Sequence, residues 1–135
     1  MDVAALVAWA LAASAGGYLL VRWLAAAGLR GQPAKVTRHP TLVLVSHPAS
    51  AVLGLCLWLG HLVTGRDWWA WAAFGVLIAV ILQGVMLFSR WLVGGGGRHA
   101  RGNDQPFPGV AVAVHALVAV TTFVLVFLAT LETGR

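Results

Sequence analysis

Residues 51–80 read AVLGLCLWLGHLVTGRDWWAWAAFGVLIAV, two apolar runs joined by Thr64-Gly65-Arg66-Asp67. A polar connection of that size is too short for anything but a tight helical hairpin. Followed outward, the runs become spans of about 40–63 and 68–93, and two further apolar blocks, about 3–29 and 108–131, flank them. Each exceeds the roughly 20 residues a helix needs to cross a bilayer, and none alternates as a barrel strand does. The fold class expected is all-α, a transmembrane four-helix bundle that forms a single integral membrane domain over residues 1–135.

Composition agrees. The chain has 135 residues, of which 60% are hydrophobic and 10% charged, and its mean hydropathy is +0.86. Soluble domains carry about a quarter charged residues, so an ordinary soluble domain is excluded. Four spans use up nearly the whole sequence and leave no room for a soluble catalytic domain, so no independent enzymatic activity is expected. The segments between spans read as loops: Arg30-Gly31-Gln32-Pro33-Ala34-Lys35 is polar and broken by proline, and Gly94 to Gly97 followed by Arg98-His99-Ala100-Arg101 cannot hold a helix.

Orientation follows from the basic residues. Arg30, Lys35, Arg38, Arg98 and Arg101 lie in the first and third loops, with Arg22 and Arg90 near the same face. Only Arg66 and Arg135 lie opposite, a bias of seven to two. The positive-inside tendency then puts those loops in the cytoplasm and both termini outside. The sequence pI of 11.2 is thus a topology signal; nucleic-acid binding would need a folded basic surface that these loops cannot supply. Trp68, Trp69 and Trp71, with Trp9 and Trp58 near the same level, are expected to mark the outer interface, and Trp23 and Trp91 the inner one.

Ala13-Ser14-Ala15 resembles a signal-peptide cleavage site. The segment before it has Asp2 and no Lys or Arg, and the apolar stretch continues through Val21, so an uncleaved first helix is expected. Its Ala12, Ala13, Ala15, Gly16 and Gly17 suit close helix packing. Cys56 is the single cysteine, which excludes paired-thiol chemistry and reads as a small buried residue.

Ionisable groups inside a membrane are costly and mark candidate sites. The polar residues in the spans are Arg22, His47, His61, Gln83, Arg90 and His115, and no Asp or Glu joins them. That absence speaks against a proton-coupled exporter. His47 lies seven residues after Pro40 and His115 seven after Pro108, on helices that run parallel. At about 1.5 Å per residue both imidazoles sit about 10 Å below the cytoplasmic surface. The stripe below His47 carries Ser50, Ala51, Gly54, Trp58 and His61, and that around His115 carries Ala111, Ala119 and Thr122. Small residues such as Gly54 beside a histidine leave space for something flat and wide. Haem b with His47 and His115 as axial, metal-binding ligands fits that space, and Arg22 and Arg90 are the expected partners of its propionates. A bare zinc site is disfavoured, because two histidines have no thiolate or carboxylate beside them. His61 lies fourteen residues below His47, about 21 Å along the helix, with no second histidine at its level, and is expected near the outer face. Pro48, directly after His47, should either kink the second helix or mark where its regular part begins.

In architecture the chain resembles small four-helix b-type cytochrome membrane domains, such as the cytochrome b561 group or one half of haem A synthase; the residues that carry this are His47 and His115. Leu57-Trp58, Ala70-Trp71, Met86 to Trp91, Phe107-Pro108 and Val112 to Thr122 are also similar to a set of small four-span membrane proteins of high-GC Gram-positive bacteria. The first resemblance implies a membrane haem-binding protein for electron transfer or haem handling beside a respiratory-chain partner. The second implies a bacterial plasma-membrane location. The competing expectation is a cofactor-free accessory or assembly subunit, whose Ala- and Gly-rich surfaces would pack against another membrane protein or a second copy in a homodimer.

Overall fold

A computed structural model describes residues 1–25, 41–93 and 107–133. They form four helices, α1 (Asp2–Ala25), α2 (Thr41–Thr64), α3 (Asp67–Val93) and α4 (Gly109–Thr133). Each is long and apolar enough to cross a membrane, and the described residues contain no strand. The first and third loops, with Arg30, Lys35, Arg38, His39, Arg98, His99 and Arg101, lie outside the described residues, as do residues 26–29 of the first expected span.

The hairpin between α2 and α3 is as tight as its four residues require. Gly65 takes φ +64°, and its N–H donates to the His61 carbonyl at 2.8 Å. This is a left-handed helix cap, a conformation that glycine adopts without the steric cost of a Cβ. Thr64 Oγ1 donates to the Gly60 carbonyl at 2.7 Å and accepts the Arg66 N–H at 3.4 Å. Asp67 opens α3 and Asp2 opens α1, each a carboxylate at the positive end of a helix dipole.

In sequence order the helices form a ring. α1 packs most extensively on α4 and α2 on α3, with slighter contact between α3 and α4 and between α1 and α2; α2 and α4 stand on a diagonal. The bundle is therefore two close pairs, α1/α4 and α2/α3, laid against each other. Its packing is inverted relative to a soluble core. Ala5, Ala8, Ala12, Ala70, Ala73 and Ala129 are buried, while Val3, Leu11, Val21, Leu82, Val110 and Leu117 are exposed. Lipid solvates a leucine as well as another leucine does, so what selects the inside is close approach of backbones over small residues.

Two tryptophans fill what the alanines leave. Trp9 and Trp58 are buried at 2% and 0% exposure. They join Ala5, Ala70, Ala73, Leu77, Val80, Val126 and Ala129 in one cluster, and so belong to the core, not to the expected outer aromatic belt. Trp68 and Trp71 are exposed, as belt residues would be. Cys56 is exposed, against the expectation of a buried residue. A helix face in lipid accommodates a small thiol as readily as an alanine. α2 runs unbroken from Thr41 through Pro48 to Thr64, so its regular part does not begin at the proline.

The space beside Gly54, expected to belong to a flat ligand, is taken by Trp9. A Cβ on Gly54 would lie 2.7 Å from Trp9 Cζ2 and 2.9 Å from Cη2. Gly54→Ala should therefore overpack the outer core and cost about 1–3 kcal/mol, read as a lower midpoint of thermal unfolding in detergent micelles. Gly17→Ala, where nothing lies within 4 Å of the added methyl, should leave the midpoint unchanged or slightly raised. Equal midpoints for the two variants would contradict this packing.

Candidate functional site

The closely packed core occupies one end of the bundle, the end that carries the α2–α3 hairpin and the start of α1. Towards the other end, among the described residues, only Ala12, Trp23 and Leu44 remain buried. The two histidines stand where the packing opens.

His47 on α2 and His115 on α4 meet across the diagonal, with ring centroids 6.2 Å apart and planes at 85°. Each ring is anchored on the neighbouring helix of its own close pair. His115 Nδ1 donates to the Ala12 carbonyl on α1 at 3.0 Å, and His47 Nδ1 donates to the Val80 carbonyl on α3 at 3.1 Å. A carbonyl can only accept, so both Nδ1 atoms must carry the proton. A neutral ring then leaves its lone pair on Nε2.

The anchoring needs a particular helix surface. A helical carbonyl already accepts the N–H four residues on, and a side chain at that next turn normally covers its second lone pair. Here the residue four on from Ala12 is Gly16, and the one four on from Val80 is Gly84. A Cβ on Gly16 would sit 2.9 Å from His115 Cε1, and one on Gly84 3.2 Å from His47 Cε1. The glycines let the rings reach the carbonyls.

Each ring lays its Nδ1–Cε1–Nε2 edge along its own helix pair: Nε2 of His115 lies 3.7 Å from where a Cβ on Gly16 would be, and Nε2 of His47 4.0 Å from one on Gly84. The other polar side chains nearby are satisfied locally. Thr122 Oγ1 donates to the Val118 carbonyl at 2.8 Å, and Ser46 Oγ donates to Gln83 Oε1 at 3.4 Å. Among the described residues no group of three His, Cys, Asp or Glu side chains is placed to hold a metal ion.

Arg22 and Arg90, expected beside the histidines, are exposed on the outside of the bundle. Their neighbours are better covered. Trp23 is 3% exposed, and Trp91 buries an Nε1 that has no hydrogen-bond partner. His61 is buried at the opposite end. Its Nδ1 donates to the Arg66 carbonyl at 3.2 Å, its Nε2 lies 3.9 Å from Asp2 Oδ2, and its ring lies against Trp58 at 5.3 Å. Trp58 Nε1 donates to the Asp2 carbonyl at 3.3 Å. This cluster ties the start of α1 to the α2–α3 hairpin and stands apart from the histidine pair.

Both histidines are legible in the sequence, and Ala12 and Gly16 are expected there only as a packing stripe; their anchoring role, and Val80 and Gly84 altogether, are not. A signal for them exists: Ala12 and Val80, Gly16 and Gly84, and His47 and His115 are each 68 residues apart. No protein-family model, no curated protein and no solved structure matches the chain.

Nitrogen-15 NMR of the full chain, labelled at histidine, should show both imidazoles as the Nδ1–H tautomer at neutral pH. Gly16→Ala should abolish that signature for His115 and leave His47 nearly as it was, and Gly84→Ala the reverse. Nε2–H tautomers in the parent protein would refute the anchoring.

Proposed function

We propose that the chain is a membrane b-type haem protein in which His47 and His115 are the axial ligands, serving electron transfer or haem handling beside a respiratory-chain partner. The observation that carries this is the pair of Nδ1 anchors on the Ala12 and Val80 carbonyls. Metal-binding histidines almost always donate their second N–H to a carbonyl or carboxylate, which fixes the tautomer and raises the basicity of the ligating nitrogen. Both rings here have that support already.

Two further features agree with the donor set. The two imidazoles, one from each close pair, already meet edge to face with ring centroids 6.2 Å apart. The rings project from different helix pairs, and fewer of the described residues are buried toward their end of the bundle. Haem would supply a one-electron couple whose potential is set by its axial ligands, their hydrogen bonds and burial. This chain's residues orient the imidazoles and exclude water on the Trp9/Trp58 side.

The charge bias of seven basic residues to two supports cytoplasmic first and third loops and outer termini, and the resemblance to small four-span proteins of high-GC Gram-positive bacteria supports a bacterial plasma membrane. The histidines then lie in the inner half of the bundle, facing a cytoplasmic or membrane-embedded partner.

Full-length protein purified from haem-replete cells should show a Soret band that shifts on reduction. His47→Ala and His115→Ala should each remove most of it, whereas His61→Ala should keep it and only lower stability, because His61 ties helix ends together. A parent protein with no Soret band would end this reading.

A further inference from the structure

The spacing of 68 residues is not confined to the histidine anchors. Gly16, Leu19, Arg22, Trp23 and Leu24 recur as Gly84, Leu87, Arg90, Trp91 and Leu92, a Gly-x-x-Leu-x-x-Arg-Trp-Leu pattern at one fixed offset. Ala4-Ala5 recurs as Ala72-Ala73, Pro40 as Pro108, Ala51-Val52 as Ala119-Val120 and Leu57 as Leu125, again without insertion or deletion. The chain is a doubled two-helix unit. Two helices return the chain to its starting side, so both units cross in the same direction, related by a pseudo-twofold axis along the membrane normal. The packing obeys that axis: exchanging α1 with α3 and α2 with α4 carries the α1/α4 pair onto the α3/α2 pair.

Residues at the same place in the two units must occupy equivalent places about the axis. The histidine pair is one such set, and Trp23 with Trp91 is another, seven residues beyond Gly16 and Gly84 and thus about 10 Å further along the bundle. Trp23 is buried and Trp91 is half-buried with its Nε1 covered, while the arginines before them are exposed. Trp91 stacks on Phe88 at 5.8 Å, and a Cβ on Gly109 would meet its Cζ2 at 3.7 Å, so the ring is held between α3 and the start of α4. Its Nε1 is buried with no acceptor. A buried donor left unpaired is costly, and such groups in native structures ask for a missing partner.

Resting on the haem reading, we infer that Trp91, with Trp23 as its pseudo-symmetric counterpart, forms the second level of the site, where the indole N–H hydrogen-bonds a carboxylate on the edge of the bound ligand. The two levels divide the work. The imidazoles hold the centre of a flat aromatic group, and the indoles hold its acidic rim. The tryptophans take the role expected of Arg22 and Arg90, as N–H donors that need no charge inside the bundle.

The test is a titration of full-length protein prepared haem-free, using haem b and haem b dimethyl ester, whose carboxylates are blocked, with Soret absorbance as readout. The parent should bind haem b about tenfold more tightly than the ester. Trp91→Phe, which keeps the ring and removes the N–H, should weaken haem b several-fold, leave the ester unchanged and so erase most of the preference. Trp23→Phe should reduce the preference in the same sense. An undiminished preference in Trp91→Phe overturns the assignment of the indole and leaves the haem reading standing. Equal loss for both ligands would mark Trp91 as a packing residue and also overturn it. No spectral change in the parent with either ligand overturns the haem reading and this inference together.

Discussion

The inner half of this bundle depends on one kind of contact, an imidazole N–H donating to a helix carbonyl that a missing side chain leaves open. It occurs twice, His115 on Ala12 beside Gly16 and His47 on Val80 beside Gly84. In lipid a histidine cannot turn to water for a partner, so an unanchored ring would carry an unsatisfied donor. The contact satisfies the donor and draws α1 against α4 and α3 against α2. It also settles which nitrogen of each ring keeps a lone pair. Packing, tautomer and the chemistry available at the centre follow from the same two glycines.

The outer half is built on a different rule. Membrane helices gain little from hiding leucine, and here valines and leucines cover the outside while alanines line the seam. Trp9 over Gly54 and Trp58 against His61 supply the volume that the alanines lack, and the Trp58–Asp2 and His61–Arg66 hydrogen bonds close that end. The result is a plugged end and a more open end, with the histidines between them.

The four helices are legible in the sequence because each span announces itself by length and hydropathy, and Gly65 in a four-residue connection dictates the hairpin. Placing His47 and His115 at one level is legible from their equal distance to a proline. What decides the rest is helix rotation. Arg22 and Trp23 are adjacent, so turning α1 by about 100° exchanges which of them faces inward. Span hydropathy is nearly uniform around each helix and carries no sign of that rotation. Gly54 shows the same limit: a small residue on the inward face leaves room, but the sequence around it does not say that Trp9 of another helix fills the room. The repeat at 68 residues carries the missing information, since a residue buried in one unit has an equivalent in the other.

The two units differ most where the core is tightest. Trp9 corresponds to Leu77, Gly54 to Thr122, Trp58 to Val126 and His61 to Ala129. The first unit is large where the second is small at three of these places, and Trp9 occupies the space that its own unit opens at Gly54. Two identical units could not both place an indole at the axis of this outer core, because equivalent positions face each other there and close packing leaves no room for two. Divergence in volume resolves the conflict. Toward the inner end the reverse holds: Gly, Leu, Arg, Trp and Leu stand in both units, and so do the histidines. Identity is tolerable at an axis only where equivalent groups do not compete for the same space, either because they are small, as the glycines are, or because each is held to its own helix pair and the two meet edge to face. The histidines, at 6.2 Å between centroids, are of the second kind. That the chain keeps its repeat around this contact, and gives it up in the plug, makes the histidine pair the place where both units converge on equal terms.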